Sequence, residues 1–294
     1  MRSLTYSELI RGNRDFRNLL AGQFISELGN WFNFIAALGL VRLVSDASPL
    51  AAGLFFVARL IPFAIMSPIA GTFVDRFSRR KVMIVTDVAR TVIALAFLFV
   101  KEPGDLWIAY LATILLHTLG AFFDGAKNAA APNLTGREGL LAGTALLFST
   151  KFLLMAVGSA LGGWASAAFG YQIAFIINAA SFLISAYTVW LIPEDAVKET
   201  AHEESGEKRS FISDLKEGFV YSVRNHFALT ILIMNMIWAT GGGAINVIYE
   251  RLGGVYFAET EGWNPDVAVA ILWTASGIGI TLGMMIAHRT SIYL

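Results

Sequence analysis

Gly71-Thr-Phe-Val-Asp-Arg-Phe-Ser-Arg-Arg-Lys81 is a short loop that carries five charges between two long apolar segments, residues 49–74 and 82–100. Four of the five charges are cations. Lys and Arg concentrate in the loops on the cytoplasmic side of membrane proteins, close to the ends of the spanning helices. The loop therefore predicts a chain that crosses a membrane several times and assigns this loop to the cytoplasm.

The composition supports a membrane protein. Hydrophobic residues make up 56% of the chain and charged residues 15%, with a mean hydropathy of +0.61, whereas soluble domains carry roughly 25% charged residues. The sequence contains no cysteine, which excludes disulfides, thiolate metal sites and cysteine nucleophiles. Its formal net charge of zero gives no reason to expect nucleic acid as a partner.

Apolar windows of membrane-spanning length recur along the chain, and about 20 helical residues suffice to cross the hydrocarbon core. The sequence predicts eight such helices, at residues 19–41, 50–74, 82–100, 106–129, 140–168, 173–192, 228–248 and 267–287. The predicted fold class is an all-α multi-pass membrane protein. Of the 22 Lys and Arg residues, 16 lie near ends that face the cytoplasm if the N-terminus is inside. This distribution predicts the cell (inner) membrane, with both termini cytoplasmic.

One connection is longer and more polar than the others. Residues 193–226 separate six predicted helices (1–192) from two (227–294) and form a predicted cytoplasmic interdomain loop. Phe211, Leu215, Phe219 and Val223 recur every four residues, which favours an amphipathic helix on the inner membrane surface. A solvated linker with a helical end is the alternative.

The charged loop has the spacing Gly-x-x-x-Asp-Arg-x-x-Arg-Arg, which resembles the signature loop of the major facilitator superfamily of transporters. Six helices, a long cytoplasmic loop and a second set of helices are also the layout of that fold. The resemblance implies that the Gly permits tight packing at the helix end and that the charges latch the two halves together. The implied latch residues are Gly71, Asp75, Arg76, Arg79 and Arg80. The alternative is an ordinary cationic cytoplasmic loop.

Two further stretches resemble exporters of this superfamily. Gly158-Ser-Ala-Leu-Gly162-Gly163 is similar to the Gly-Pro-x-x-Gly-Gly segment of drug and metabolite antiporters, with Ser159 in place of Pro, although small residues at this spacing also serve close helix packing. The run from Gly125 to Leu141 resembles a loop of macrolide and siderophore efflux permeases. A typical member has twelve helices, so we expect this chain to be a fragment or incomplete gene product that ends after the eighth.

Ionisable residues inside membrane helices are functional candidates because burying a charge in hydrocarbon costs several kcal/mol. In the first helix, Gln23, Glu27, Asn30 and Asn33 share one face, which we expect to line a cavity. Glu27 is the first candidate for proton coupling. The alternative is a structural Glu27 paired with Arg59 or Lys151.

The fourth helix carries His117 and Asp124 on one face, and both are candidates for relaying protons; for His117 the alternative is a hydrogen-bonded helix contact. Asp87 and Arg90 are spaced to pair with each other or with the Asp75 cluster, and a structural latch is favoured.

Arg59 and Lys151 lie near mid-membrane, where they either neutralise Glu27 or Asp124 or contact an anionic group of a substrate. Gly241, Gly242 and Gly243 predict a weak point at which the seventh helix bends during gating. Close packing against a neighbouring helix is the alternative.

The predicted function is secondary active transport, with proton-coupled export of a small organic molecule of the drug, macrolide or siderophore type by alternating access. The alternatives are a fragment that does not transport and a lipid-modifying membrane enzyme. The enzyme is disfavoured because the sequence has no Asp-rich pair, His-x-x-x-His or Gly-x-Ser-x-Gly motif. It has no phosphate-binding Gly-x-x-x-x-Gly-Lys-Ser/Thr loop either, so an ion gradient is the expected energy source. No metal, cofactor, nucleic acid or obligate protein partner is expected beside the lipid bilayer, the substrate and protons.

Overall fold

The computed structural model describes residues 4–197 and 211–291, and gives the backbone alone for 211–215, 235, 238–241 and 284–291. These residues form ten α-helices and no strand. The helices are α1 (Tyr6–Gly12), α2 (Arg14–Val44), α3 (Pro49–Val74), α4 (Arg79–Leu95), α5 (Leu106–Phe169), α6 (Tyr171–Trp190), α7 (Phe211–Arg224), α8 (His226–Arg251), α9 (Phe257–Glu261) and α10 (Pro265–Ser291). The all-α prediction is confirmed.

Several of these helices are long and apolar enough to cross a membrane. In the described part of the chain, six segments meet that description: Arg14–Val44, Pro49–Val74, Arg79–Phe99, Pro103–Phe169, Tyr171–Trp190 and Pro265–Gly283. Large apolar side chains such as Val85, Val92 and Leu141 are exposed on their outer faces. Such surfaces suit contact with lipid, which is as apolar as these side chains. The chain is a multi-pass membrane protein.

Helix α5 contains a reversal of the chain at Gly136. This glycine has φ 65° and ψ 177°, a combination open essentially to glycine alone. The Oδ2 atom of Asp124 lies 3.6 Å from the Nζ atom of Lys151, although 27 residues of straight helix would separate them by about 40 Å. Residues 106–135 and 137–169 are therefore two antiparallel segments, which correspond to the predicted fourth and fifth helices.

Helix α2 occupies the centre of the bundle. It packs along α6 and α5, while α3 and α4 pack on α5 and α4 also packs on α6. The second segment of α5 packs in turn against α10. The predicted seventh and eighth helices fall within α8 and α10. This arrangement places the polar face of α2 opposite α3, α4 and both segments of α5.

The predicted amphipathic segment contains helix α7. Phe219, Tyr221 and Val223 are exposed on it, whereas the side chains of Phe211 and Leu215 lie outside the described residues. A helix was expected under both alternatives, so its presence does not distinguish between them. Its location on a membrane surface and the division into domains at 192 and 226 stay predictions.

Candidate functional site

A cavity of about 280 Å³ lies between α2, α3, α4 and the two segments of α5. Its charged and polar lining residues are Gln23, Ser26, Glu27, Asn30, Asn33, Arg59, Arg90, Thr113, His117, Asp124, Lys127 and Lys151. Its remaining lining residues are Phe34, Phe55, Leu60, Phe63, Leu116, Gly120 and Phe123. The structure thus brings together every residue that the sequence suggested for proton coupling or for substrate contact.

The polar face of α2 forms one wall of this cavity. Gln23 is buried and donates from Nε2 to the Leu147 carbonyl oxygen at 2.7 Å, which ties α2 to the second segment of α5. Asn30 donates from Nδ2 to Oε2 of Glu27 at 3.4 Å. The Oδ1 atom of Asn33 is buried and accepts no hydrogen bond from the described residues. This wall therefore keeps polar groups available to an occupant.

Glu27 is not held by an ion pair within the described part of the chain. Arg59 and Lys151 both attract Glu27 electrostatically, but neither forms a close ion pair with it, and Lys151 binds Asp124. The structural alternative for Glu27 stays a prediction. His117 lines the cavity and forms no hydrogen bond with the described residues, so the hydrogen-bonded alternative does not match either.

Asp124 is the acceptor of two lysines. Its Oδ1 lies 2.6 Å from Nζ of Lys127, and its Oδ2 lies 3.6 Å from Nζ of Lys151. The side chain of Lys127 is 9% exposed, whereas that of Lys151 is 48% exposed. Asp124 therefore joins the two segments of α5 electrostatically. Neutralisation of Asp124 was one of the two roles expected of Lys151.

Arg59 is stacked on aromatic rings. Its Cζ atom lies 3.7 Å from the ring centroid of Phe34 and 5.7 Å from that of Trp31. Cation–π contacts of this kind stabilise a desolvated guanidinium. Its Nη1 atom is nevertheless buried with no hydrogen-bond acceptor among the described residues. Arg59 thus presents unused donors at the cavity.

Arg90 lines the cavity and Asp87 lies behind its wall, so neither residue pairs with the Asp75 cluster as the second expected pairing had it. They form a buried ion pair with each other. The Cζ atom of Arg90 lies 4.7 Å from the centroid of the Phe123 ring and 4.4 Å from that of Phe182. These contacts turn Arg90 towards α5 and α6 and away from the charged loop.

The charged loop contacts neighbouring helices at the end of the bundle where Gly136 lies, here called the Gly136 end. Arg79 donates from Nη1 to the Ala129 carbonyl oxygen at 3.0 Å, and Arg80 donates to the carbonyl oxygen of Trp190. Asp75 and Arg76 line a groove together with Glu194. The expected tight packing at Gly71 is absent, since no described atom lies within 4 Å of where its Cβ would be.

A second cavity of about 270 Å³ continues towards the Gly136 end. It shares Gln23, Asp124, Lys127 and Lys151 with the first cavity and adds a further set of lining residues: Asn128, Ala131, Pro132, Thr144, Leu147 and Phe148. These added residues lie along α5 on the side of Gly136. The polar volume therefore extends from the middle of the bundle towards one end.

Four aromatic residues pack together at the opposite end of the first cavity, where Phe34 lines it. Trp273 of α10 has its ring centroid 5.6 Å from Trp31, 5.4 Å from Phe34 and 5.3 Å from Tyr249. We call Trp31, Phe34, Tyr249 and Trp273 the aromatic layer. Because Tyr249 and Trp273 come from α8 and α10, this layer joins the two parts of the chain.

Beyond the aromatic layer lies a buried ionic cluster, here called the Arg42 cluster, made of Arg42, Glu250 and Asp266. Arg42 binds both carboxylates, and the three side chains are 9%, 3% and 7% exposed. Arg42 follows Phe34 by eight residues, or about 12 Å of helix. We refer to this side of the bundle as the Arg42 end.

No sequence pattern indicated the Arg42 cluster. Arg42 precedes Glu250 by 208 residues and Asp266 by 224. Each of the three lies near the end of a predicted span, where a charged residue is ordinarily solvated. Only the packing of α2 against α8 and α10 shows that they meet.

Small residues on the second segment of α5 allow close approach to α2 and α10. A Cβ added to Gly158 would overlap Trp31, and one added to Gly163 would overlap Ala270. Gly162 lies against the backbone of Phe32. Ser159 and Thr274 share a hydrogen bond of 3.1 Å between their hydroxyl oxygens. This glycine-containing segment therefore forms the seam with α10.

The glycines of α8 are placed differently. No described atom lies within 4 Å of a Cβ added to Gly242 or Gly243, so the close packing considered for them is absent. The surroundings of Gly241 lie outside the described residues. Bending of α8 at these glycines stays a prediction.

The family model of the Major Facilitator Superfamily matches residues 19–292. The chain belongs to the major facilitator superfamily. It is 30% identical over 292 residues to the MFS-type transporter YfiS of Bacillus subtilis, with 97% of this chain and 66% of YfiS covered. It is also similar to two other proteins of that organism: the putative bacilysin exporter BacE, at 26% identity with 80% and 58% covered, and Multidrug resistance protein 2, at 26% identity with 90% and 65% covered.

This major facilitator chain spans less than two thirds of the length of these three curated relatives. Membership of the superfamily confirms the resemblance drawn from the charged loop, and it favours a transporter over an enzyme. The names of BacE and Multidrug resistance protein 2 refer to export and drug resistance in those two proteins.

Proposed function

We propose that this protein is a secondary active transporter of the cell membrane that exports a small organic molecule of the drug, macrolide or siderophore type. Transport proceeds by alternating access, in which a central site faces one side of the membrane at a time. Protons are the coupling ion, and they move inwards as the substrate leaves.

The observation that carries this proposal is a polar cavity between the spanning helices whose two ends differ. The aromatic layer and the Arg42 cluster lie at the Arg42 end, and we take them to close the cavity there. At the Gly136 end, the second cavity continues it. With the charged loop on the cytoplasmic side, this is an inward-facing arrangement. The Arg42 cluster and the aromatic layer then have to separate before the cavity can face outwards.

Glu27 is the residue that we assign to proton coupling. It lines the cavity and has no ion pair among the described residues, whereas Asp124 is held by two lysines. Protonation of Glu27 changes the charge of the central cavity and so biases the side to which it opens.

Accumulation assays in cells that express this chain test the proposal. The probes are 5-carboxyfluorescein, erythromycin and a hydroxamate siderophore, each measured with and without a protonophore and against cells carrying an empty vector. We expect lower accumulation of at least one probe, and we expect the protonophore to abolish the difference. Equal accumulation of all three probes in both strains contradicts export.

Glu27→Gln tests the coupling assignment separately. We expect this variant to lose the protonophore-sensitive export while it is made and inserted in normal amount. The matched control is Glu102→Gln, which makes the same substitution at an exposed site outside the cavity. Wild-type export by Glu27→Gln contradicts proton coupling through this residue but not export itself.

A further inference from the structure

We infer that the substrate is an organic anion with an apolar, aromatic-sized body, bound through a carboxylate at Arg59. This inference rests on the proposed function, because it takes the central cavity to be the substrate site. The inference narrows the proposed substrate class to acidic molecules and excludes basic ones such as amine-bearing macrolides. Three observations carry it.

The first observation is the charge balance of the cavity. Four cations line it: Arg59, Arg90, Lys127 and Lys151. Two carboxylates, Glu27 and Asp124, also line it, and a third, Asp87, reaches Arg90 from behind the wall. With His117 counted as neutral, the four cations and three carboxylates give the described site one excess positive charge. An anionic group is the occupant that balances it.

The second observation is that one of the four cations has no carboxylate partner among the described residues. Arg90 is used by Asp87, while Lys127 and Lys151 are used by Asp124. Arg59 forms no ion pair with a described residue, and its Nη1 atom is buried without an acceptor. A buried cation without a partner is costly. Of the four cations that line the cavity, Arg59 is therefore the one without an ion-pair partner among the described residues.

The third observation is the shape of the site around Arg59. Phe34 covers one face of the guanidinium, so the N–H groups along its edge remain for a ligand. A guanidinium edge matches the two oxygens of a carboxylate. Phe34, Phe55 and Phe63 in the same wall offer apolar contact to the rest of the molecule. The cavity thus combines one anion-binding point with an aromatic surface.

A binding experiment with three matched probes tests the inference. The probes are 4-biphenylcarboxylate, its neutral primary amide and 4-biphenylmethylammonium, which share one apolar body and differ in charge. Binding is measured by equilibrium dialysis at neutral pH on the purified 294-residue chain in lipid nanodiscs. We expect the carboxylate to bind roughly tenfold or more tightly than the other two, since hydrogen bonds between two charged groups are stronger than those to neutral groups.

Substitutions in the cavity test whether Arg59 causes the preference for the carboxylate. Arg59→Gln is expected to abolish the preference for the carboxylate, and Arg59→Lys is expected to retain part of it, because the charge remains but the planar edge is lost. Lys81→Gln removes a cation whose side chain is 69% exposed outside the cavity, and it serves as the control. Should Arg59→Gln fail to fold, Lys151→Gln, at a half-exposed position of the same wall, is expected to weaken the preference in the same direction.

Equal binding of the three probes, preference for the amine, or no binding of any probe overturns the inference, and so does a preference that Arg59→Gln and Lys151→Gln leave unchanged. The accumulation assay above stays independent of these results. A chain that prefers the carboxylate but exports nothing contradicts the proposed function alone. A chain that exports erythromycin and prefers the amine contradicts the anionic substrate alone.

Discussion

Arg42 in α2 donates from Nη1 to both carboxylate oxygens of Glu250 in α8, at 2.9 and 3.1 Å. Asp266 at the start of α10 binds the other guanidinium nitrogen. One cation thus joins three helices next to the aromatic layer. Because these side chains are almost fully buried, separating the helices exposes all three charges together. The Arg42 cluster is therefore suited to hold the Arg42 end closed.

The first prediction concerns closure at the Arg42 end. The chain has no cysteine, so Thr113→Cys provides a single reporter in the cavity wall. We expect Glu250→Gln to increase its labelling by a membrane-impermeant maleimide added outside by about tenfold, which corresponds to ~1.4 kcal/mol less stable closure. Lys101→Gln, at an exposed cation just beyond α4, is the control. Unchanged labelling in Glu250→Gln argues against a gating role.

The second prediction concerns the stability of the same cluster. Arg42→Gln leaves two buried carboxylates without their cation, and breaking a buried pair in this way costs about 3–5 kcal/mol. We expect a clearly lower thermal midpoint in detergent. The triple variant Arg42→Gln, Glu250→Gln and Asp266→Asn carries no charge in this cluster. We expect it to recover part of the lost thermal midpoint. A triple variant less stable than Arg42→Gln argues that charge burial is not the cause.

The third prediction concerns Asp124 and its two lysines. Asp124→Asn leaves the buried Lys127 without its ion pair, so we expect a loss of about 3 kcal/mol or more. Adding Lys127→Gln removes the unpaired charge and is expected to restore much of the stability. Denaturation of the two single variants and the double variant gives the coupling energy directly. Simple additivity of the two losses contradicts a direct Asp124–Lys127 interaction.

The fourth prediction concerns the reversal at Gly136. A side chain at its φ of 65° and ψ of 177° is strained, and such conformations cost roughly 1–3 kcal/mol. We expect Gly136→Ala to lower the thermal midpoint. Gly120→Ala lies in the same helix, where an added Cβ meets no described atom within 4 Å, and it is expected to be neutral or stabilising. Equal effects of the two substitutions contradict a backbone requirement at Gly136.

The fifth prediction concerns the seam between α5 and α10. A Cβ on Gly163 would overlap Ala270 and the backbone of Asp266, and overpacking of this kind costs about 1–3 kcal/mol. We expect Gly163→Ala to destabilise the chain, as measured by thermal unfolding in detergent. Gly53→Ala in α3, which has open space around it, is the matched control. A stable Gly163→Ala with an intact seam argues against close helix approach at this point.

The spanning helices and the polar face of α2 were predictable because they depend on local properties. A run of apolar residues long enough to cross a bilayer is visible in any window of the sequence. Gln23, Glu27, Asn30 and Asn33 share a face through helical periodicity alone. The charged loop also carried the family resemblance, since its spacing lies within eleven consecutive residues, from Gly71 to Lys81.

The pairing of charges between helices was decided only by the tertiary structure. Asp124 could have neutralised either Arg59 or Lys151, and the reversal at Gly136 brings it to Lys151. By sequence, Arg42 lies at the end of a predicted span, where charged residues are ordinarily solvated. In the structure, α8 and α10 place two carboxylates against it. Local hydropathy and periodicity specify which residues lie in a helix and on which face. Which partner a buried charge meets depends on how helices that are hundreds of residues apart pack together, because only that packing determines the distance and the dielectric between the charges.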